Sequence, residues 1–169
     1  MVGKNKLEKK VADIITKAVK DCISLLQEEE KAKELEIEPD FQKEIDNALK
    51  VSGRSSSDRV LFTAGLYFDG VYSSLTTKPD YKKAFKCFYI GWHRDKCLEC
   101  GYMLVDYYLD ENWLKRDGVE TDTVKGYILL KKLATEYKHE RAYDKFNHFS
   151  TKAKLLYFPE ETRQEILNS

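Results

Sequence analysis

Four residues of types that bind metal ions lie in one short stretch of this chain. They are Cys87, His93, Cys97 and Cys100, and three thiolates with one imidazole would form a closed tetrahedral zinc site. Cys97 and Cys100 share a helix face, whereas Cys87 belongs to a different predicted helix. A buried cysteine is also a common small apolar core residue. We therefore expect no bound metal, and we keep this cluster as the weaker alternative.

No pattern in the sequence predicts catalysis. His93-Arg94-Asp95 matches three letters of a protein-kinase catalytic loop, but Cys100 stands where that loop needs asparagine. The histidines His93, His139 and His148 are scattered, and no phosphate-binding loop, nucleophile elbow or dinucleotide fingerprint is present. The sequence therefore predicts a protein that is not an enzyme and needs no cofactor, and an enzyme with an unrecognised site is the last-ranked alternative.

The composition predicts helices joined by short turns. The 169 residues are 42% hydrophobic and include only three prolines and eight glycines. The 29 basic and 29 acidic residues cancel, which argues against a general affinity for nucleic acid or anionic membranes. No apolar run is long enough for a membrane span, and no secretory signal is recognisable. We therefore expect an intracellular protein, first of all cytoplasmic, with an organelle left open.

The N-terminal part is predicted to be a helical extension over residues 1–52. Its long helix, over 5–37, carries an apolar stripe, and Pro39 ends it because proline cannot continue a helix. A short amphipathic helix follows and is closed by Gly53. The polar residues 53–57 are predicted to link this extension to the main body.

The main body is predicted to span residues 58–158. Its expected helices cover 59–70, 81–94, 97–110, 123–137 and 139–157, and a further C-terminal helix covers 159–169. Asp80 and Asp122 are predicted helix N-caps. They stand 42 residues apart in matching segments, Asp80 to Phe85 and Asp122 to Tyr127, which indicates an internal repeat.

These segments resemble the Sel-1-like repeat, a relative of the tetratricopeptide repeat. Ala64-x-x-Tyr67-x-x-Gly70 with Asp80-x-x-Lys83-Ala84 is similar to one unit, and Gly118-Val119-x-x-Asp122-x-x-Lys125-Gly126 is similar to part of a second. The resemblance covers about residues 58–145. It implies an all-α protein, a short α/α solenoid of helical hairpins, acting as a non-catalytic adaptor or structural subunit of a larger assembly.

Two sets of residues are expected to contact protein partners, whose identity stays open. The tyrosines Tyr67, Tyr102 and Tyr108 would lie on the concave side of the repeats. They are interface candidates because tyrosine combines a large contact area with a hydrogen-bonding group. The stripe of the first helix would supply Leu7, Val11, Ile14 and Leu25, and the open alternative is that this helix caps the end of the repeats, because short solenoids need caps. The alternative function is an RNA-associated component that binds phosphate through local basic patches. Its candidate residues are Lys4, Lys6, Lys9, Lys10, Lys82, Lys83 and Lys86.

Overall fold

The computed structural model describes residues 2–55, 59–72, 78–109 and 116–148, which form seven α-helices and no strand. The helices are α1 (Val2–Lys33), α2 (Pro39–Val51), α3 (Val60–Phe68), α4 (Tyr81–His93), α5 (Leu98–Leu109), α6 (Thr123–Thr135) and α7 (Glu140–His148). The predicted all-α class is therefore confirmed for this part of the chain. The predicted continuation of α7 to residue 157 and the helix over 159–169 lie outside the described residues.

α1 ends at Lys33, four residues before the predicted end. Residues 35–38 have no regular secondary structure, and Glu38 has a ψ of 140°, because a residue before proline is pushed out of the helical region. Leu35 and Ile37 pack against the core in this segment. The early end of α1 is thus explained partly by tertiary packing, which the sequence pattern does not show.

Both predicted N-caps form, and they form in the same way. The side chains of Asp80 and Asp122 each accept a hydrogen bond from the backbone N–H three residues later, at 3.1 and 3.0 Å. The backbone N–H of each aspartate donates to a carbonyl at the end of the preceding helix, that of Phe68 (2.8 Å) or Tyr108 (3.0 Å). Each aspartate therefore starts its own helix and ties it to the previous one.

The turns that follow α4 and α6 are also equivalent. Lys96 and Lys138 both have left-handed backbone conformations, with φ of 53° and 51°. The next residue, Cys97 or His139, donates its N–H to the carbonyl of the third-last residue of the preceding helix, at 2.9 Å in both turns. All these positions differ by 42 residues. The hairpin α4–α5 therefore recurs in structure as α6–α7.

One hydrophobic core runs through α2 to α7, and each of these helices packs on the next in sequence. Its largest fully buried side chains include Trp92, Phe88 and Tyr107. α2 contributes its apolar face to this core through buried Phe41 and Ile45. The core therefore extends past the polar segment 53–57, and of the predicted extension α1 alone lies outside it.

Small residues allow close approach where helices cross, as the sequence predicts. Ala64 and Ala84 are fully buried. A Cβ atom added at Gly101 would lie 2.7 Å from Cε3 of Trp92, and one at Gly126 would lie 2.7 Å from Cδ2 of Leu109. Larger residues at these two positions would therefore push α4, α5 and α6 apart.

Candidate functional site

One row of side chains on α1 is partly covered. Ile14, Ala18 and Leu25 are half-buried along this row, and Leu25 lies beside residues of α4, α5 and α6. The Nζ atom of Lys125 on α6 donates to both carboxylate oxygens of Glu28, at 2.8 and 3.0 Å. An apolar cavity of about 220 Å³ remains between α1, α4, α5 and α6. α1 is therefore attached by an ion pair and a loosely packed apolar contact.

A second apolar row on α1 faces solvent. We call it the α1 stripe, and it consists of Val11, Ile15, Val19, Ile23 and Leu26. These side chains are between 46% and 62% exposed. Their spacing of three and four residues places them in one continuous row along the helix. Leu26 also lines the cavity beside α4 and α6, so the stripe adjoins this cavity at its C-terminal end. The apolar arc of α1 is thus wider than its contact with the other helices, and the remainder of the stripe stays uncovered.

The structure divides the predicted interaction residues of α1 between the two rows. Val11 lies in the exposed stripe, whereas Ile14 and Leu25 lie in the half-buried row. The side chain of Leu7 lies outside the described part of the molecule. The exposed residues Ile15 and Ile23 also contribute accessible apolar surface, although the sequence analysis did not name them as interaction residues.

The predicted tyrosine surface is not exposed. Tyr102 and Tyr108 are each only 8% exposed, and Tyr67 is half-buried. The ring of Tyr102 stacks on His139 at 5.2 Å, and the ring of Tyr108 meets the edge of Phe85 at 5.8 Å. These tyrosines are core residues because neighbouring helices cover them, so they offer little area to a partner.

A buried polar cluster connects α3, α5 and the segment before α6. The hydroxyl of Tyr107 donates to Oδ1 of Asp69, and the guanidinium of Arg116 lies 4.1 Å from the centre of the Tyr107 ring. Burial raises the pKa of Asp69, against the opposing effects of Tyr107 and Arg116. Nη1 of Arg116 donates to the carbonyl of Asp106 at 3.1 Å, but its buried Nε has no hydrogen-bond partner among the described residues and lies 3.8 Å from Oδ1 of Asp69. The cluster therefore joins α3, α5 and the segment before α6 through one hydrogen bond and charge attraction at Asp69.

The four residues of the candidate zinc site do not converge. His93 lines the cavity beside α1 and contacts the ring of Tyr89 at 4.3 Å, whereas Cys97 lines a groove formed by other residues. Across the described residues, no three His, Cys, Asp or Glu side chains are placed to hold a metal ion. The zinc alternative therefore has no geometric support there.

Two of the cysteines form a pair instead. Cys97 immediately precedes α5, and Cys100 follows it in the first turn, where its thiol interacts with that of Cys97 closely enough to alter the pKa of both. This interaction, with backbone N–H groups of Glu99 and Cys100, lowers the pKa of Cys97 to about 6. The same interaction and burial raise the pKa of Cys100. The sequence analysis missed this pair, although a Cys-x-x-Cys spacing at a predicted helix start was the available signal.

The predicted basic residues do not form one patch. Lys83 contacts the carboxylates of Glu44 and Asp80, and Lys86 lies 3.5 Å from a carboxylate oxygen of Glu38. The exposed residues Lys9, Lys10 and Lys82 are divided between α1 and α4, and the side chains of Lys4 and Lys6 lie outside the described part. Acidic neighbours therefore offset much of the positive charge on α4.

Comparison with models of protein families, with curated proteins and with solved structures finds no match for this chain. None of the described helices combines the length and apolar content that crossing a bilayer requires. Two features of the described residues could serve a function besides stabilising the fold. The α1 stripe could bind another molecule, and the Cys97–Cys100 pair could react.

Proposed function

We propose that this protein is a non-catalytic interaction subunit that binds a protein partner through the α1 stripe. In this proposal α2 to α7 are a short α/α solenoid of the Sel-1-like type, which acts as the scaffold. The observation that carries the proposal is the row of exposed apolar side chains from Val11 to Leu26 on a helix attached by its other side.

The geometry of the stripe suits a helical or grooved partner. From Val11 to Leu26 the helix rises about 22 Å, at roughly 1.5 Å per residue. A continuous apolar row of this length is unusual on a monomer surface and is typical of protein interfaces. An amphipathic helix commonly binds by placing such a row in a groove or against another helix. The rim of the row is polar, with Thr16 and Gln27 exposed on α1.

The alternative of an RNA-associated protein gains no support from the charges on α4. Lys83 and Lys86 lie next to carboxylates, and phosphate binding would have to displace these contacts. The chain as a whole carries no net charge. We therefore propose the protein-binding function alone and use nuclease treatment to test the alternative.

The test is a pair of double substitutions on α1. Ile15→Glu with Ile23→Glu places two charges in the stripe. The matched control, Thr16→Glu with Gln27→Glu, adds acidic residues at exposed polar positions of the same helix. Tagged versions of both proteins and the wild type are purified from the cells that express them, with and without nuclease. Circular dichroism and light scattering then report the helix content and the oligomeric state.

The stripe variant should lose the protein partner that the wild type and the control variant retain. If that partner is a second copy of this chain, the stripe variant should be a monomer. Its helix content should equal that of the control, because the substituted side chains do not face the core. The proposal is wrong if all three proteins keep the same partners and the same oligomeric state. It is also wrong if nuclease removes every partner from the wild type, since that result indicates nucleic acid.

A further inference from the structure

The Cys97–Cys100 pair has an asymmetric arrangement. Cys97 is half-buried and precedes the first residue of α5, and its carbonyl accepts the helical hydrogen bond of Gly101 at 3.0 Å. Cys100 is fully buried. It fits because residue 91 is glycine: a Cβ there would lie only 2.5 Å from the Cys100 sulfur. One sulfur can therefore be reached from outside, and the other lies behind it.

The accessible sulfur faces a surface groove of about 650 Å³. Charged side chains in the groove are Arg59 before α3, Arg94 and Asp95 in the α4–α5 turn and Glu99 on α5, and the imidazole of His139 also lines it. Arg94 is hydrogen-bonded to Asp95 at 2.6 and 3.0 Å. Arg59 lies close enough to favour the thiolate of Cys97. The groove is thus large enough for a small molecule to reach a negatively charged sulfur.

The second hairpin shows that the fold does not need these cysteines. The positions equivalent to Cys97 and Cys100 in that hairpin are His139 and Ala142. His139 caps α7 by accepting a hydrogen bond from the N–H of Ala142 at 3.2 Å, and Ala142 is fully buried like Cys100. An imidazole and a methyl group therefore meet the same capping and packing requirements without a thiol pair.

We propose that Cys97 and Cys100 form a redox site that is oxidised by low-molecular-weight disulfides and returned to the dithiol by small thiols. The pair is arranged for this reaction because the nucleophilic sulfur belongs to a half-buried residue that lines a groove at a helix start, and the resolving sulfur is one helical turn away. The proposed site lies on a different surface from the α1 stripe, so it adds a function to partner binding.

The reaction consists of two exchange steps. The Cys97 thiolate attacks one sulfur of a small disulfide, which breaks the S–S bond, forms a mixed disulfide on Cys97 and releases one thiolate. The Cys100 thiol then loses its proton to solvent and attacks the Cys97 sulfur, which forms the Cys97–Cys100 bond and releases the second thiolate. Two electrons pass from the protein dithiol to the small disulfide.

The first test uses the full chain with Cys22→Ser, since Cys22 is an exposed cysteine that would also react. The protein is incubated with glutathione disulfide, and its products are mapped by mass spectrometry. The unaltered pair should give an internal Cys97–Cys100 disulfide without a stable adduct. Adding Cys100→Ser should trap one glutathione on Cys97. Adding Cys97→Ser instead should abolish both products.

Other results would overturn the proposal. It is wrong if the unaltered pair keeps a stable glutathione adduct, or if the Cys97→Ser protein reacts as fast as the Cys100→Ser protein. Circular dichroism must show that each variant is folded. Should Cys100→Ser fail this check, Cys100→Ala replaces it, because alanine occupies the equivalent buried position at Ala142.

The second test measures how the alkylation of Cys97 by iodoacetamide depends on pH. In the folded protein the rate should follow a pKa of about 6, because hydrogen bonds favour the thiolate. In urea it should follow that of an ordinary thiol, about 8.5. At about pH 5.5 the folded protein should react on the order of tenfold faster, after allowing for the lower nucleophilicity of a more acidic thiol. Equal pH profiles in the two states would contradict the proposal.

Discussion

At the scale of single residues, Asp69 is a carboxyl group whose buried environment disfavours its charged form. It follows α3 directly and accepts a hydrogen bond from Tyr107, while Nε of Arg116 lies 3.8 Å from its oxygen. Burial is the largest influence on this carboxyl group and raises its pKa, and the charge of Asp106 adds to the effect. Folding therefore favours the protonated form of Asp69.

The pH dependence of stability follows from that preference. A carboxyl group with a raised pKa in the folded state stabilises the fold most below its unfolded value, near 3.8, and that contribution is lost as pH rises through the folded value. The free energy of unfolding of the wild type, relative to Asp69→Asn, should therefore fall as pH rises above about 4. Urea titrations of both proteins over the acidic range measure this difference. A difference that increases with pH would contradict the prediction.

A single hydrogen bond is the basis of a second prediction. Replacing Asp122 by alanine removes the acceptor for the N–H of Lys125 at the start of α6. Loss of such a cap should lower the free energy of unfolding by about 1 kcal/mol. Asp122→Asn keeps an acceptor oxygen and should lose much less, which makes it the control. Chemical denaturation of the three proteins gives the comparison, and equal losses in both variants would show that the cap contributes nothing.

These residues differ in how far they could be predicted from the sequence. Asp80 and Asp122 were recognised because a cap acts over three residues, so its signal is local. The contact between Asp69 and Tyr107 joins residues 38 positions apart, and no local pattern indicates it. The exposure of Cys97 depends on the groove between α3, α5 and α7, which also requires the tertiary structure.

At the scale of helices, the crossing of α5 and α6 depends on Gly126. A Cβ atom there would lie 2.7 and 2.8 Å from two atoms of Leu109 and 2.9 Å from Cβ of Tyr108. These distances are too short for a real contact. Any side chain at this position must therefore displace α5 or distort its side chains.

Gly126→Leu should therefore lower the free energy of unfolding by about 1–3 kcal/mol. Gly126→Ala should have a smaller effect of the same sign. Combining Gly126→Ala with Leu109→Ala should cost less than the sum of the two single effects, because the truncated leucine leaves room for the new methyl group. Thermal and urea unfolding measure all four variants. Strictly additive losses in the free energy of unfolding would indicate that a side chain at position 126 does not meet Leu109.

The helices were predicted well where their signals are local, and their faces were predicted less well. Turn and cap residues such as Pro39, Gly53 and Gly70 set the helix ends within a few positions. Periodicity also identified the apolar arc of α1. It could not divide that arc into a row that contacts the core and a row exposed to solvent, because the division depends on where α4 and α6 lie.

At the scale of the whole molecule, α1 is the least integrated helix. It is attached through Leu25 and the ion pair of Glu28 with Lys125, whereas Leu35 and Ile37 belong to the packed body. The boundary between the attached helix and the body therefore falls at about residue 34, well before the polar segment after α2.

Two truncations test this boundary. Removing residues 2–33 should leave a folded helical body whose midpoint of thermal unfolding falls by about 2–8 °C, since a partly exposed ion pair and one loosely packed row are lost. Removing residues 2–37 should cost clearly more, because Leu35 and Ile37 go too. Calorimetry of the two shortened proteins distinguishes these outcomes. Equal losses would mean that the body begins after residue 37.

The matching turns at Lys96 and Lys138 indicate that a further hairpin could be inserted into this chain. Asp80 and Asp122 begin their helices through the same pair of hydrogen bonds, so the chain enters both hairpins in the same way. A tandem copy of residues 80–121 inserted before Asp122 would meet compatible junctions at both ends. Duplication of that length of coding sequence is therefore a simple evolutionary route to a longer chain, and the same segment gives protein engineers a unit for adding a hairpin.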